Sequence, residues 1–171
     1  MTESTKSFLR RWGKYSLKEI KYSLLNINDE AELRSAAYIH ESAPLNWDQN
    51  YKVTDERVLF WVDYLKNLSL ANKAWIMVAK NSKNEVIGLH WLKLEEKYNQ
   101  LRVNIDSLWV HDSYRKNGIG SELKKRGEEW AKSQGAQLIS TQVYYSNQNM
   151  INFNVKLGFI PQQVEMIKPL K

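Results

Sequence analysis

The stretch that most constrains the chain is YRKNGIGSEL, residues 114–123. Two glycines stand two positions apart, just after a strand-like run, Leu101 to Val110, and just before a helix-like one. The first N–H groups of a helix have no partner within it, and the aligned peptide dipoles leave that end positive. A strand, a glycine turn and a helix start therefore make a place for an anion, and glycine lets the backbone approach a phosphate that a Cβ would obstruct. Arg115 and Lys116 add positive charge beside the turn. The pattern is not a P-loop, since no Gly-Lys-Ser/Thr follows, and the dinucleotide fingerprint fails for want of a third glycine. On these residues alone, a diphosphate-type ligand and a turn that serves only packing are both open.

The rest of the chain alternates strand and helix signals. Ile20 to Leu25 reads as a strand, and NINDEAELRSAAYIHESA as a helix capped by Asn28 with acidic residues in its first turn. TDERVLFWVDYLKNL follows a loop opened by Pro44 and predicts a second helix capped by Thr54. AWIMVAK and EVIGLHWLKLEEK, joined by NSKN, predict a hairpin, and LRVNIDSLWV a third neighbouring strand. Gly118 to Ser133 predicts a helix ended by Gly135, AQLISTQVYY a strand, NQNMINFNVKLGF a helix closed by Gly158, and QQVEMIKPL a last strand. The class is mixed α/β, one domain over residues 1–171, with no repeat or linker.

Composition narrows the function classes. Cysteine is absent, which excludes thiolate catalysis and Cys-ligated metal; a cytoplasmic setting is expected. No apolar run reaches signal-peptide or membrane-spanning length, so a soluble protein with no membrane partner is expected. The net charge is +6, of which +4 falls in residues 1–21, so a basic arm (1–18) stands before a nearly balanced body, and a broad nucleic-acid face is not expected. Phe8, Trp12 and Tyr15 recur at roughly helical spacing in that arm, as they would in a segment packed on the domain or one touching a partner. His40, His90 and His111 have no metal-ligand spacing and read as surface or satisfied polar residues, so no metal is expected. His90 alone lies on the strand beside that of Asp106, where it could help deprotonate an amine.

Arg115-Lys116-Asn117-Gly118-Ile119-Gly120 resembles the Arg/Gln-x-x-Gly-x-Gly/Ala signature of the GNAT superfamily of N-acetyltransferases. Asn147 and the run Leu157-Gly158-Phe159 resemble that family's later helix and the turn after it, and IDSLWVHDSYRKNGIG resembles its fourth-strand block. The resemblance is good over about residues 100–160. It implies a GNAT fold: a central, mostly antiparallel, twisted sheet of six to seven strands, splayed between the fourth and fifth, flanked by about four helices. It implies acetyl-CoA as co-substrate, its pyrophosphate on the backbone of Arg115, Lys116, Asn117, Gly118, Ile119, Gly120 and Ser121, its pantetheine along Leu108, Trp109 and Val110 and near Asn147. It implies direct acetyl transfer to a primary amine of a small molecule or peptide. A homodimer is the expectation by analogy, since the family's last strands often pair between subunits.

Such a transfer needs a neutral amine, a polarised thioester carbonyl and a tolerated leaving thiolate. An alkyl amine of pKa about 10.4 costs roughly 4 to 5 kcal/mol to neutralise at pH 7, whereas a thiolate of pKa about 8.5 costs only roughly 2, so the base matters more than the acid. Asp106 resembles the acidic residue that spermidine/spermine-type acetyltransferases carry on the fourth strand; a solvent-facing or turn-closing Asp is the other reading. Seven residues beyond Asn147 stands Asn154, where the family usually has a Tyr acid. Asn cannot donate a proton in that sense, though it can hydrogen-bond the sulfur. Tyr144, with Tyr145, is the substitute in view. The acceptor pocket is expected in the loop ESAPLNWDQNYKVTDE, whose Glu41, Asp48, Asp55 and Glu56 with Trp47 and Tyr51 suit a cationic amine. The alternative is an acetyl-CoA-binding regulatory module without transferase activity, with Asn154 as the mark of lost catalysis.

Overall fold

The computed structural model describes residues 20–97, 99–168 and 170. The basic arm, with Phe8, Trp12 and Tyr15, lies outside the described residues. Elements run β1 (Lys21–Leu24), α1 (Glu30–Glu41), α2 (Asp55–Leu70), β2 (Ala74–Lys80), β3 (Val86–Lys97), β4 (Gln100–Val110), α3 (Ile119–Ser133), β5 (Leu138–Thr141) and α4 (Gln148–Lys156), with single 3-10 turns at Ala43–Asn46 and Asp112–Tyr114. The sheet order is β1-β2-β3-β4-β5. The first three pairings are antiparallel and β4 with β5 is parallel.

Alternation along the strands builds a core on each face of the sheet. Leu89 and Trp91 of β3 join Leu33, Ala36 and Ala37 of α1 and Val58 and Leu65 of α2. On the other face, Ile87 and Leu92 of β3 and Val103 and Ile105 of β4 meet Ile119, Leu123 and Ala131 of α3. The approach of α3 is close at Gly127, where an added Cβ would lie 2.8 Å from Leu92 Cδ1 and 3.0 Å from the His90 ring.

Local chemistry explains most element ends. Thr54 caps α2 through its hydroxyl on the Arg57 N–H, and Gly135 (φ 74°) and Gly158 (φ 87°) follow α3 and α4 in the left-handed conformation that suits glycine. At α1 the cap is Asp29 rather than Asn28: Asp29 Oδ1 accepts from Glu32 N at 3.0 Å, while Asn28 N donates to Asn26 Oδ1 in the preceding turn. Among the described residues the sheet has five strands, not six or seven. β5 ends at Thr141, and no strand forms over 161–168. An extended apolar run becomes a strand only where a ladder partner exists, and here Val164 (69% exposed) and Met166 (90%) face solvent. No helix among the described residues is long and apolar enough to cross a membrane.

Gly127→Ala is expected to destabilise the fold by about 1–3 kcal/mol, since the methyl forces α3 away from β3. In a chain of this length that is a fall of several degrees in Tm, read by thermal melting.

Candidate active site

β4 carries one residue more than its partner. Trp91 of β3 pairs with Ser107 and the next residue, Leu92, pairs with Ile105, so Asp106 is the extra residue of a β-bulge. The parallel pairing with β5 runs only from Arg102↔Leu138 to Ile105↔Thr141. Residues 106–110 therefore keep β3 on one edge and, among the described residues, have no strand on the other, which is the splay expected between the fourth and fifth strands. Leu108, Trp109 and Val110 lie along that open edge.

Beyond Val110 the chain makes its turn into α3. Lys116 (φ 62°) and Gly118 (φ 82°) both adopt left-handed backbone, and Gly118 caps the helix without a side-chain bond. The helical ladder starts with Glu122 N–H to Gly118 O, so the N–H groups of Ile119, Gly120 and Ser121 emerge from the helix end, as expected for an anion cradle. Arg115 does not extend freely toward this cradle. Its Nε donates to Val110 O at 2.9 Å and its guanidinium pairs with Asp112 at 2.7 Å, which ties the turn to the end of β4. Asn117 Nδ2 donates to Tyr114 O at 3.2 Å and stiffens the same turn.

α4 brings up the two asparagines differently. Asn147 is the helix cap, its Oδ1 accepting from Met150 N at 3.1 Å, which leaves Nδ2 as the group it can offer a ligand. Asn154 is 5% exposed and its Oδ1 meets no donor among the described residues. A buried amide oxygen without a donor is costly, and it marks a place where a hydrogen-bonding partner belongs. Tyr144 and Tyr145 fall beyond β5 and are exposed; Tyr144 stacks on Trp47 of the α1–α2 loop, ring centroids 5.2 Å apart and planes within 10°.

Asp106 lies on the α1/α2 face with Lys93 Nζ 3.6 Å away and Asn104 Nδ2 donating at 2.5 Å. Burial raises its carboxyl above the ordinary aspartate value, and Lys93 and Asn104 offset part of the rise. His40 of α1 is on the same face, its Nδ1 2.6 Å from Ser107 Oγ and its ring edge-on to Trp61 and Trp91. Burial pushes that imidazole down to about 4, so it is neutral at pH 7 and joins α1 to the bulge. His90 is placed otherwise than the sequence suggested. Being one residue from Trp91, it points through the sheet to α3, 1% exposed, with Nδ1 on the Ser107 carbonyl at 3.0 Å. It is on the opposite face from Asp106 and is not a base for an amine held there.

The acceptor loop holds less free charge than its sequence suggests. Glu41 is 2% exposed and takes Arg57 Nε at 2.5 Å, Trp61 Nε1 at 2.6 Å and the Tyr51 hydroxyl. Burial pushes its carboxyl up, and the donors from Arg57, Tyr51 and Trp61 outweigh that and hold it below the ordinary value. Asp55 pairs with Arg34 at 2.6 Å. Asp48 Oδ1 accepts from Asn50 N at 2.9 Å, and exposed Asp48 and Glu56 are the loop acids without an ion pair among the described residues. Sequence reading missed this cluster because its members lie 6 to 20 residues apart. It also missed buried Lys124, whose only signal is a position flanking the inward stripe of Ile119, Leu123 and Gly127.

The family model of the acetyltransferase (GNAT) family matches residues 36–159. No curated protein matches significantly in sequence. Solved structures of similar fold include an aminoglycoside acetyltransferase, meta-AAC0020, from an uncultured soil metagenomic sample, solved with trehalose: 19% identity, 91% of this chain and 99% of that one covered, TM-score 0.69. A transcriptional regulator from Bacillus halodurans shares 18% identity over 88% and 99%, TM-score 0.71. An acetyltransferase of Trypanosoma brucei shares 17% over 89% and 100%, TM-score 0.64. At these identities the likeness is one of fold.

A glutamate held below its ordinary value stabilises the fold above that value, near 4.5, and the contribution is lost as the pH falls through the depressed folded value. Glu41→Gln is therefore expected to cost roughly 1 to 3 kcal/mol at pH 7. It should also flatten the acid side of a plot of stability against pH, measured by urea unfolding between neutral and strongly acidic buffer.

Proposed function

The chain belongs to the acetyltransferase (GNAT) family, and on that premise we propose that it moves an acetyl group from acetyl-CoA to a primary amine by direct attack, both substrates being bound together. The observation that carries this reading is the coincidence, at Asp106, of the β4 bulge with the end of β5 pairing, upstream of the open N–H groups at α3. The residues present fit acetyl-CoA: an uncapped helix end beside two left-handed residues for phosphate, an unpaired strand edge for amide groups, and a buried Asn154 oxygen without a donor. Arg115, Lys116, Asn117, Gly118, Ile119, Gly120 and Ser121 would hold the pyrophosphate, and Leu108, Trp109, Val110, Asn147 and Asn154 the pantetheine. When bound, acetyl-CoA supplies an activated thioester. The free backbone N–H groups of the splay are the donors in reach of a carbonyl there.

In this mechanism Asp106 takes the amine proton on a carboxylate oxygen, directly or through a water. A half-buried carboxylate of raised pKa is a better base than an exposed one, because its proton affinity is closer to the working pH. Asn154 would hydrogen-bond the sulfur or the amide arm and would transfer no proton. Tyr144, exposed beyond the end of β5 and stacked on Trp47, would be the available acid. A small-molecule amine is the favoured acceptor: the likeness to an aminoglycoside acetyltransferase supports it, and the Trp47–Tyr144 rings offer a face for a cation. The absence of cysteine supports a cytoplasmic setting. A homodimer belongs to the same reading, supported by the exposed Val164, Met166 and Ile167. Light scattering after size exclusion should return twice the 20.2 kDa chain mass.

Thiol release from acetyl-CoA is expected with one class in a panel of aminoglycosides, polyamines, amino acids and lysine peptides. Asp106→Asn should lower kcat/KM about 100-fold or more and remove the acidic limb of its pH profile. Calorimetric acetyl-CoA binding with no thiol release from any amine would replace this reading with the binding module, for which Asn154 is the supporting residue.

A further inference from the structure

Beneath α3 lies a cavity of about 240 Å3 whose lining shares Ser121, and no other residue, with the proposed acetyl-CoA site. Leu92 of β3, Ile105 of β4, Ile139 of β5, and Leu157 and Phe159 after α4 give it apolar walls, and Lys124 enters from α3. Lys124 is 7% exposed, and its ammonium meets no hydrogen-bond acceptor among the described residues. Its Nζ lies 4.1 Å from the centroid of the Phe159 ring and 5.9 Å from that of Phe153. Ring faces recover part of the lost hydration of a cation but supply no acceptor for its three N–H groups.

Of the other buried charged residues among those described, Glu32 is matched by Lys80 and Glu41 by Arg57; the partly exposed Arg102 also buries an Nε without a hydrogen-bond partner. Burial pulls the Lys124 ammonium down to about 8, still high enough to keep it charged at pH 7. A buried charge left without a counter-ion destabilises a fold unless something else brings one. We propose that this cavity is a binding site for a small, mostly apolar monocarboxylate, its carboxylate on Lys124 Nζ and its ring or branched tail against Leu92, Ile105, Ile139, Leu157 and Phe159. The size fits. A dry apolar cavity of roughly 150 Å3 takes a benzene, so this one has room for an aromatic ring with a carboxylate.

A phosphate suits the cavity less well. The Glu128 carboxylate also lines it, though paired with Lys132 at 2.6 Å, and repels a dianion more than a monoanion. Its side-chain donors Ser121, Lys124 and Lys125 all stand on α3, and the apolar walls opposite offer few of the converging donors a phosphate needs. Of the other ionisable groups in the lining, His90 is held neutral by burial, and Lys125 stands exposed at the rim beside Glu128.

The test uses the full chain titrated with sodium benzoate and sodium phenylacetate, followed by calorimetry and by amide chemical shifts. Both carboxylates are expected to bind, with neutral benzamide at least about tenfold weaker, since it lacks the charge. Lys124→Met should lose binding by a similar factor while melting no lower than the parent, because it removes a buried unpaired charge. Ile139→Phe, which narrows the cavity and keeps the charge, should also weaken benzoate. Saturating coenzyme A should leave benzoate affinity unchanged. Absence of saturable binding at millimolar benzoate, equal binding of benzamide, or unaltered binding by a folded Lys124→Met overturns the proposal. Competition with coenzyme A also overturns it, by making the cavity part of the cofactor groove.

Discussion

Between Trp91 and Leu92 of β3, which are neighbours, β4 must fit an extra residue, and the geometry of the site depends on that surplus. Strand side chains alternate strictly, so one added residue reverses the face of all that follows. Val103 and Ile105 pack toward α3; without the bulge Ser107 and Trp109 would do the same. With it, Leu108 and Val110 take the α3 side and Trp109 joins the α1/α2 core. Ser107 is thereby turned to His40, and Asp106 is held at the point where β5 leaves the sheet. His90, on the other face, places its Nδ1 on the Ser107 carbonyl. Two buried imidazoles, one on each side, thus brace the distorted strand, and burial keeps both neutral.

Charge is handled in the same economical way. Glu41, at the end of α1, gathers an indole, a phenol and a guanidinium from the loop and helix that follow, so a segment with little regular structure is anchored to one carboxylate. Glu32 does the like at the start of α1, accepting the Asn26 N–H and pairing with Lys80 of β2. Both acids stabilise the walls around the open edge of β4 rather than line it. Asp106 differs, since Lys93 stands at 3.6 Å and its carboxyl stays raised.

The glycine turn, the helices and the hairpin were legible in the sequence because their signals are local: a left-handed glycine, a capping hydroxyl, an apolar period. The splay was expected from resemblance, and the pairings place its start at Ile105↔Thr141. What sequence could not give depends on partners distant in the chain. The run 161–168 has strand-like composition but no ladder to join. His90 looked available to Asp106 because adjacent strands were in view and their faces were not. Glu41 looked like a free loop acid, and Asn28 rather than Asp29 like the cap, a difference of one residue that only the hydrogen bond to Glu32 N decides.

The stack of Trp47 on Tyr144 joins two loops that flank the splay and belongs to neither face of the sheet. Aromatic pairs of this kind contribute about 0.5–1.5 kcal/mol beyond the area they bury. The stack is thus a light tie between two loops, small beside the packed core on either face of the sheet. An incoming flat or cationic molecule competes with one ring for the other's face. For the acceptor proposed above, discrimination at these rings would be a matter of exchange between similar contacts, retuned by changing two side chains without disturbing the bulge beneath.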